Sequence, residues 1–288
     1  KIWSNLFKKD KGSHLTHYQS IASTVSAMLI TYHMKAMIFA AGLGTRLKPL
    51  TDTLPKALVP VCGKPLIEYI CRKLKTSGID EAVVNVHHFA DKIETWIDGQ
   101  DIMTLQVSDE RQMLLETGGA VLHARRYLEG CGHFLIHNVD IFSNCDISWF
   151  RSQVRPDALG TLLVSKRETS RFLLFHPQTM RLVGWSNVDT GDYHLADKSL
   201  ALDECTALGF SGIHILSEDV LGLMQEYVDE RGLNDGGCGV RFPIMSFYMW
   251  AAMKKPIYGA VAENLDFLDV GKLDALAPAE EFVKSMNW

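Results

Sequence analysis

The run Met37-Ile38-Phe39-Ala40-Ala41-Gly42-Leu43-Gly44-Thr45-Arg46 decides the fold of this chain. Met37 to Ala41 is a short apolar stretch and reads as a buried strand. It breaks at once into two glycines, a hydroxyl and an arginine. Lys56 follows ten residues after Arg46, held between Pro55 and Pro60. A strand that delivers this set is suited to holding phosphates. Glycines let backbone N–H groups come close to an anion, and the arginine and lysine supply positive charge. Two prolines stiffen the Lys56 segment, which lowers the cost of ordering its side chain on a ligand.

Two common loop types do not fit. The dinucleotide fingerprint needs a third glycine where Leu47 stands, and no helix can open into Lys48-Pro49. This disfavours a nicotinamide-dependent oxidoreductase. The P-loop pattern of four residues followed by Gly-Lys-Ser/Thr is absent too. What remains is a phosphate-binding loop of another kind.

Outward from this run, strands and helices alternate. Strands are expected at 35–41, 82–86, 103–107, 133–137 and 159–164. Helices are expected at 65–76, 90–97, 118–128 and 147–154. This rhythm implies an α/β fold, Rossmann-like, with a mostly parallel sheet and helices on both faces. After residue 165 the pattern changes. Residues 171–175 and 181–185 read as antiparallel strands of an added lobe, and 207–216 as a further strand. A helix from Ser217 to about Tyr227, a Gly-rich loop over 231–239, an apolar helix over 242–253, a strand at 256–260 and a last helix at 271–285 follow. Ligands of such sheets sit beyond the carboxyl ends of the strands, where Gly42–Arg46 and Asp140 fall.

Composition narrows the class. Of 288 residues, 47% are apolar and 22% charged, as a packed globular core requires. The net charge of −5 argues against non-specific nucleic-acid binding, which needs a basic face. The six cysteines form no C-x-x-C pair, so neither zinc nor a disulfide framework is indicated, and a cytoplasmic setting is expected. No apolar run reaches the roughly 18 residues of a membrane span. Residues 1–33 read as an extension, disordered or foreign to the domain, and 34–288 as a single domain.

The stretch from Lys35 to Tyr69 resembles the amino-terminal signature of sugar-1-phosphate nucleotidyltransferases: G-x-G-T-R, then P-K, then a Gly-x-Pro that opens a helix. The resemblance continues through Leu115-Glu116-Thr117-Gly118-Gly119, Asn138-Val139-Asp140 and Leu268-Asp269-Val270-Gly271, spanning residues 35–285 in the expected order. The Leu-Glu-Thr-Gly-Gly run is most similar to the N-acetylmuramate-1-phosphate uridylyltransferase branch. Mannose- and heptose-1-phosphate guanylyltransferases are close neighbours.

The resemblance implies the nucleotide-diphospho-sugar transferase fold with a sugar-binding lobe. It implies a reaction between an NTP and a sugar 1-phosphate that yields an NDP-sugar and pyrophosphate. The first choice is UTP with N-acetylmuramate 1-phosphate, a cell-wall sugar; the second is GTP with mannose or heptose 1-phosphate. A non-catalytic sugar-nucleotide-binding homologue is the other class, and the presence of all four charged residues below weighs against it.

By the same resemblance, Arg46 and Lys56 are the catalytic cations on the triphosphate. Ala41, Gly42, Gly44, Thr45, Gly118 and Asn138 join them in holding the nucleotide. Asp140 and Asp269 are the ligands of Mg²⁺, and Glu116 and Gly212 are substrate contacts. Taken alone, Asp140 could equally be a turn or capping residue, since Asp146 precedes the next helix. His87 and His88 are read as ordinary satisfied or exposed histidines. The chain departs from the family pattern at Val139, where a glycine is usual, and at Lys272, where a threonine is usual.

Overall fold

The computed structural model describes residues 34–233 and 237–286. The extension expected over residues 1–33 lies outside the described residues, as do 234–236 of the Gly-rich loop. The first half alternates β1 (Lys35–Phe39), the short pair β2 (Pro60–Val61) and β3 (Lys64–Pro65), α1 (Leu66–Thr76), β4 (Glu81–Val86), α2 (Ala90–Gly99) and β5 (Thr104–Asp109). Next come α3 (Glu116–His123), α4 (Arg125–Leu128), β6 (His133–Asn138), β7 (Ile141–Ser143), α5 (Ile147–Ser152) and β8 (Gly160–Ser165). The second half holds β9 (Arg171–Phe175), β10 (Leu182–Asn187), β11 (Tyr193–Leu195), β12 (Thr206–Ser217), α6 (Asp219–Arg231) and α7 (Ile244–Ala251). β13 (Ile257–Val261), β14 (Phe267–Asp269) and α8 (Leu276–Met286) complete it.

Ten strands form one mixed sheet in the order β11-β10-β9-β12-β6-β1-β4-β5, with β8 and β13 branching from β12. The half β6-β1-β4-β5 is parallel, as is the pair β8–β13. β12 runs antiparallel to β6, β8 and β9, and so joins the parallel half to the hairpin lobe β9-β10-β11. The expected α/β fold with a largely parallel core and an antiparallel lobe is what the chain adopts.

Two-sided burial explains the apolar strands. In β1, Ala36 and Ile38 face one core, and Met37 faces the other. α1 covers the first core with Leu66, Ile67, Ile70, Cys71 and Leu74, spaced to make one helical face. It stops at Gly78, whose φ of 76° closes the turn while Ile79 N–H reaches back to the Leu74 carbonyl at 3.0 Å. α3, α6 and α7 cover the other core.

Several expected elements differ in detail. The helix expected at 118–128 is two pieces that meet at Ala124. The last helix starts at Leu276, after a 3-10 turn at Leu273–Ala275, because the segment from Asp269 to Lys272 is drawn into the site. The ribbon β7–β14 was not expected. Its strands are three residues each, too short to show a period.

Candidate active site

The site starts where β1, β4 and β6 end together. Phe39 lies opposite Asn85 on one side and Asn138 on the other. The Ala40 N–H donates to Asn85 Oδ1 at 2.8 Å, and Val139 N–H to the Phe39 carbonyl at 3.2 Å. A cleft of about 400 Å³ opens over these ends, floored by Ala40, Ala41, Gly42, Asn138 and Val139. Leu114, Glu116 and Thr117 wall it on one side, and Lys56 and Asp140 close it on the other.

Gly44 takes φ 61°, and the turn Thr45–Leu47 follows, pinned by the fully buried Leu47. The Gly44 carbonyl accepts from Leu47 N–H and Thr51 Oγ1, both at 2.8 Å. A Cβ on Gly44 would come within 2.9 Å of Thr51 Cγ2 and 3.1 Å of Lys56 Cβ, so only glycine lets this loop lie against the Lys56 segment. Pro55 precedes the turn Lys56–Leu58, and Ala57 and Val59 are buried beneath it. Lys56 Nζ is thereby fixed against Asp140 Oδ2 in an ion pair whose side chains are only 12% and 15% exposed. At that exposure each charge needs the other or a substitute.

The unexpected ribbon brings in the second aspartate. β7 pairs with β14 so that Ile141 faces Asp269, and Val270 N–H donates to the Asp140 carbonyl at 2.8 Å. Asp269 Oδ1 accepts from Gly271 N–H at 2.8 Å. Its carboxyl is pushed above the usual range, first by partial removal from water and then by the charge of Asp140; Lys56, Arg46 and the Gly271 N–H work the other way. Gly271 marks the centre of this cluster. A Cβ there would lie 2.6 Å from Asp269 Oδ1, 2.8 Å from Arg46 Nη2 and 3.2 Å from Lys56 Nζ. The structure therefore brings Arg46, Lys56, Asp140 and Asp269 together, although 223 residues separate the first from the last. Asp146 is a helix cap in its own right, accepting from Ser148 and Trp149 N–H groups at the start of α5. Asp140 caps nothing there.

Other candidate residues stand apart from the charges. Gly118 is buried beneath Phe242, where a Cβ would approach the ring to 2.3 Å, and its N–H donates to the Phe242 carbonyl at 2.9 Å. Gly119 donates to the same carbonyl at 3.1 Å. These two glycines make room for the 240–243 segment. Glu116, at φ 60°, pairs with Arg241 at 2.8 Å. Gly212 forms a left-handed irregularity in β12 at φ 71°, where a Cβ would meet Asn138 Nδ2 at 2.7 Å; the bare backbone leaves space for that side chain.

Sequence reading passed over Glu110. It is 2% exposed and accepts from Asn85 Nδ2 at 2.8 Å and Leu115 N–H at 3.2 Å, tying the cleft floor to its wall. Burial pushes its carboxyl up, against the pull of those two donors. Nothing local distinguishes it from its neighbours Asp109 and Arg111. Pro243 was missed as well. It borders both this cleft and a second cavity of about 590 Å³ in the antiparallel lobe, lined by Arg167, Arg171, Trp185, Phe210 and Met249 among others.

Comparison with known proteins gives the family. The family model for nucleotidyl transferases matches residues 35–171. An N-acetylmuramate alpha-1-phosphate uridylyltransferase of Caulobacter vibrioides is 34% identical over 64% of this chain and 76% of its own length. The Neisseria meningitidis protein of that name is 41% identical over 40% of this chain and 50% of its own length. HddC from Yersinia pseudotuberculosis, solved with GMP-PN, superposes with a TM-score of 0.64. It is 20% identical, over 86% of this chain and 98% of that one, which speaks for the fold alone. With its opening loop, paired aspartates and extended likeness to the Caulobacter enzyme, the chain belongs to the sugar-1-phosphate nucleotidyltransferases, enzymes that join a nucleotide to a sugar phosphate.

Proposed function

We propose that the chain transfers the uridylyl group of UTP to N-acetylmuramate 1-phosphate or a closely related sugar 1-phosphate, in the cytoplasm. The observation that carries the reading is the convergence of Arg46, Lys56, Asp140 and Asp269 around Gly271, beside a cleft floored by backbone. A phosphate oxygen of the sugar phosphate attacks the α-phosphorus in line. A new P–O bond forms as the bond from that phosphorus to the bridging oxygen breaks, and the electron pair leaves with pyrophosphate. Two anions must meet, so catalysis is positioning and charge neutralisation.

Arg46 braces the leaving phosphates and Lys56 the region near the α-phosphate. Gly44 and Thr45 offer backbone N–H groups, and Asn138 supports the nucleoside, braced by the bare turn at Gly212. The donor set also suits Mg²⁺. Asp140 and Asp269 are hard oxygen donors whose charges push on each other. An ion held by two carboxylates would take its remaining ligands from substrate and water. When bound, the ion adds charge neutralisation on the phosphates. The 34% identity to the Caulobacter uridylyltransferase supports the choice of base and sugar. All six cysteines are free, which suits a reducing compartment, and no helix among the described residues is long and apolar enough to cross a membrane.

The test is pyrophosphate release from each of UTP, GTP, CTP, ATP and dTTP against a panel of sugar 1-phosphates. The expected best pair is UTP with N-acetylmuramate 1-phosphate, with turnover lost on chelating divalent cations and restored by Mg²⁺. Turnover confined to GTP with mannose 1-phosphate would overturn the substrate assignment.

A further inference from the structure

Arg46 and Lys56 face one of the two anions that must meet; the other needs a cation of its own. We propose that Arg167 holds the phosphate of the incoming sugar 1-phosphate, an assignment that rests on the reaction proposed above. Arg167 follows β8 and lines the cavity of the antiparallel lobe. Burial lowers its pKa from the ordinary value, and the nearby Asp269 carboxylate works the other way. It therefore borders the larger cavity and lies near Asp269. A sugar ring in the lobe with its 1-phosphate turned toward the nucleotide cleft would pass this guanidinium, and in-line attack requires that arrangement.

Local structure holds the side chain there. Its guanidinium carbon sits 4.4 Å from the centre of the Phe267 ring, on the strand that carries Asp269. Nη2 donates to the Phe210 carbonyl at 2.9 Å. Across from it β12 is bare: a Cβ on Gly209 would come within 2.8 Å of both Cγ and Nε of Arg167. Nε is buried without a hydrogen-bond partner. A buried donor left unpaired is destabilising, and a phosphate oxygen would pair it once the side chain swings toward the cavity. The guanidinium fork matches phosphate oxygens in a way that an ammonium does not. A purely structural arginine would explain the Phe210 and Phe267 contacts but not the unpaired Nε or its place in the cavity lining.

Calorimetric titration of the full chain, in the presence of a non-hydrolysable UTP analogue and Mg²⁺, tests the assignment with N-acetylmuramate 1-phosphate as probe. Arg167→Gln should weaken its binding about tenfold or more, as loss of a charged hydrogen bond does. Arg167→Lys should recover part of that loss. Gly209→Ala, which keeps the arginine but displaces it, should show the same selective defect. Binding of the UTP analogue should be unchanged in all three, and binding of unphosphorylated N-acetylmuramate should not respond to Arg167→Gln. Wild-type affinity in Arg167→Gln, or equal loss for both ligands, overturns the proposal. A wild-type chain that takes the UTP analogue but no sugar 1-phosphate overturns the reaction itself, and Arg167 with it; that failure shows before any variant is made.

Discussion

The two cavities that meet at Pro243 are built on opposite plans. The cleft proposed for the nucleotide draws its charges and backbone donors from two fixed turns, Gly44–Leu47 and Lys56–Leu58, and from the ends of three parallel strands. The lobe cavity draws on a loop, two antiparallel strands, the middle of β12 and the start of α7. Its lining mixes apolar and aromatic side chains, Phe172, Trp185, Met245 and Met249 among them, with polar ones such as Arg171, Asn187 and Asp192. Triphosphates are alike whatever their base, so a short stiff motif of glycine, proline, arginine and lysine serves them. Sugars differ in shape, and shape is set by scattered side chains that leave no local pattern. The first plan implies intolerance of small displacements, and the second a graded response.

The largest effect should come from breaking the stiff half at its centre. Gly271→Ala adds a methyl where Asp269, Arg46 and Lys56 converge. Lys56 is held by Asp140 and Asp269 by the Gly271 N–H, so the added atom must shift charges rather than fill space. The expected loss in kcat/KM is about 100-fold, the scale of an ångström-sized misplacement at a reacting centre. Steady-state pyrophosphate release measures it, and thermal unfolding run beside it separates loss of activity from loss of fold, since Gly271 is itself buried. Activity near wild type would mean that the four charges are not held as tightly as the cleft plan requires.

A smaller, selective effect should mark the lobe. Trp185→Leu keeps an apolar wall but changes its shape. The KM for the sugar 1-phosphate should rise about tenfold, the scale of a misfitted apolar contact, while the KM for the NTP stays put. A change shared equally by both substrates would erase the distinction between the two cavities.

What was legible in the sequence follows the same division. The parallel half of the sheet showed in its apolar runs because strands buried on both faces leave little choice of residue. Arg46, Lys56, Asp140 and Asp269 could be named because they stand in short motifs, and the structure brings them together. The ribbon that carries Asp269 to Asp140 was not legible, since two three-residue strands have no periodicity to read. Gly118 was read as a nucleotide contact; the structure adds that it and Gly119 make room for the 240–243 segment, which is remote in sequence. That role depends on a packing partner about 120 residues away, and no local pattern encodes it. Arg167 and Gly209 escaped notice for the same reason.

Even the stiff half has a hidden member, and the smallest expected effect concerns it. Glu110 accepts from Asn85 and from Leu115 N–H, so each carboxylate oxygen has a donor. Glu110→Gln replaces one oxygen with an NH₂ group that cannot accept, leaving one of these donors unpaired at a cost of about 1 kcal/mol. The pH dependence carries a sign. Burial holds the Glu110 carboxyl above its ordinary value of 4.5, so the folded chain keeps this proton to higher pH than the unfolded chain does. Its contribution to wild-type stability is therefore greatest at low pH and falls as pH rises from about 4.5 through the folded value. The glutamine variant lacks that slope. Urea unfolding of both chains at pH 4 and pH 7 should then show the larger wild-type advantage at pH 4. An advantage that grows toward pH 7 would mean that the charged carboxylate is the better partner for Asn85 and Leu115. The cleft floor would then rest on a charge, as its rim does.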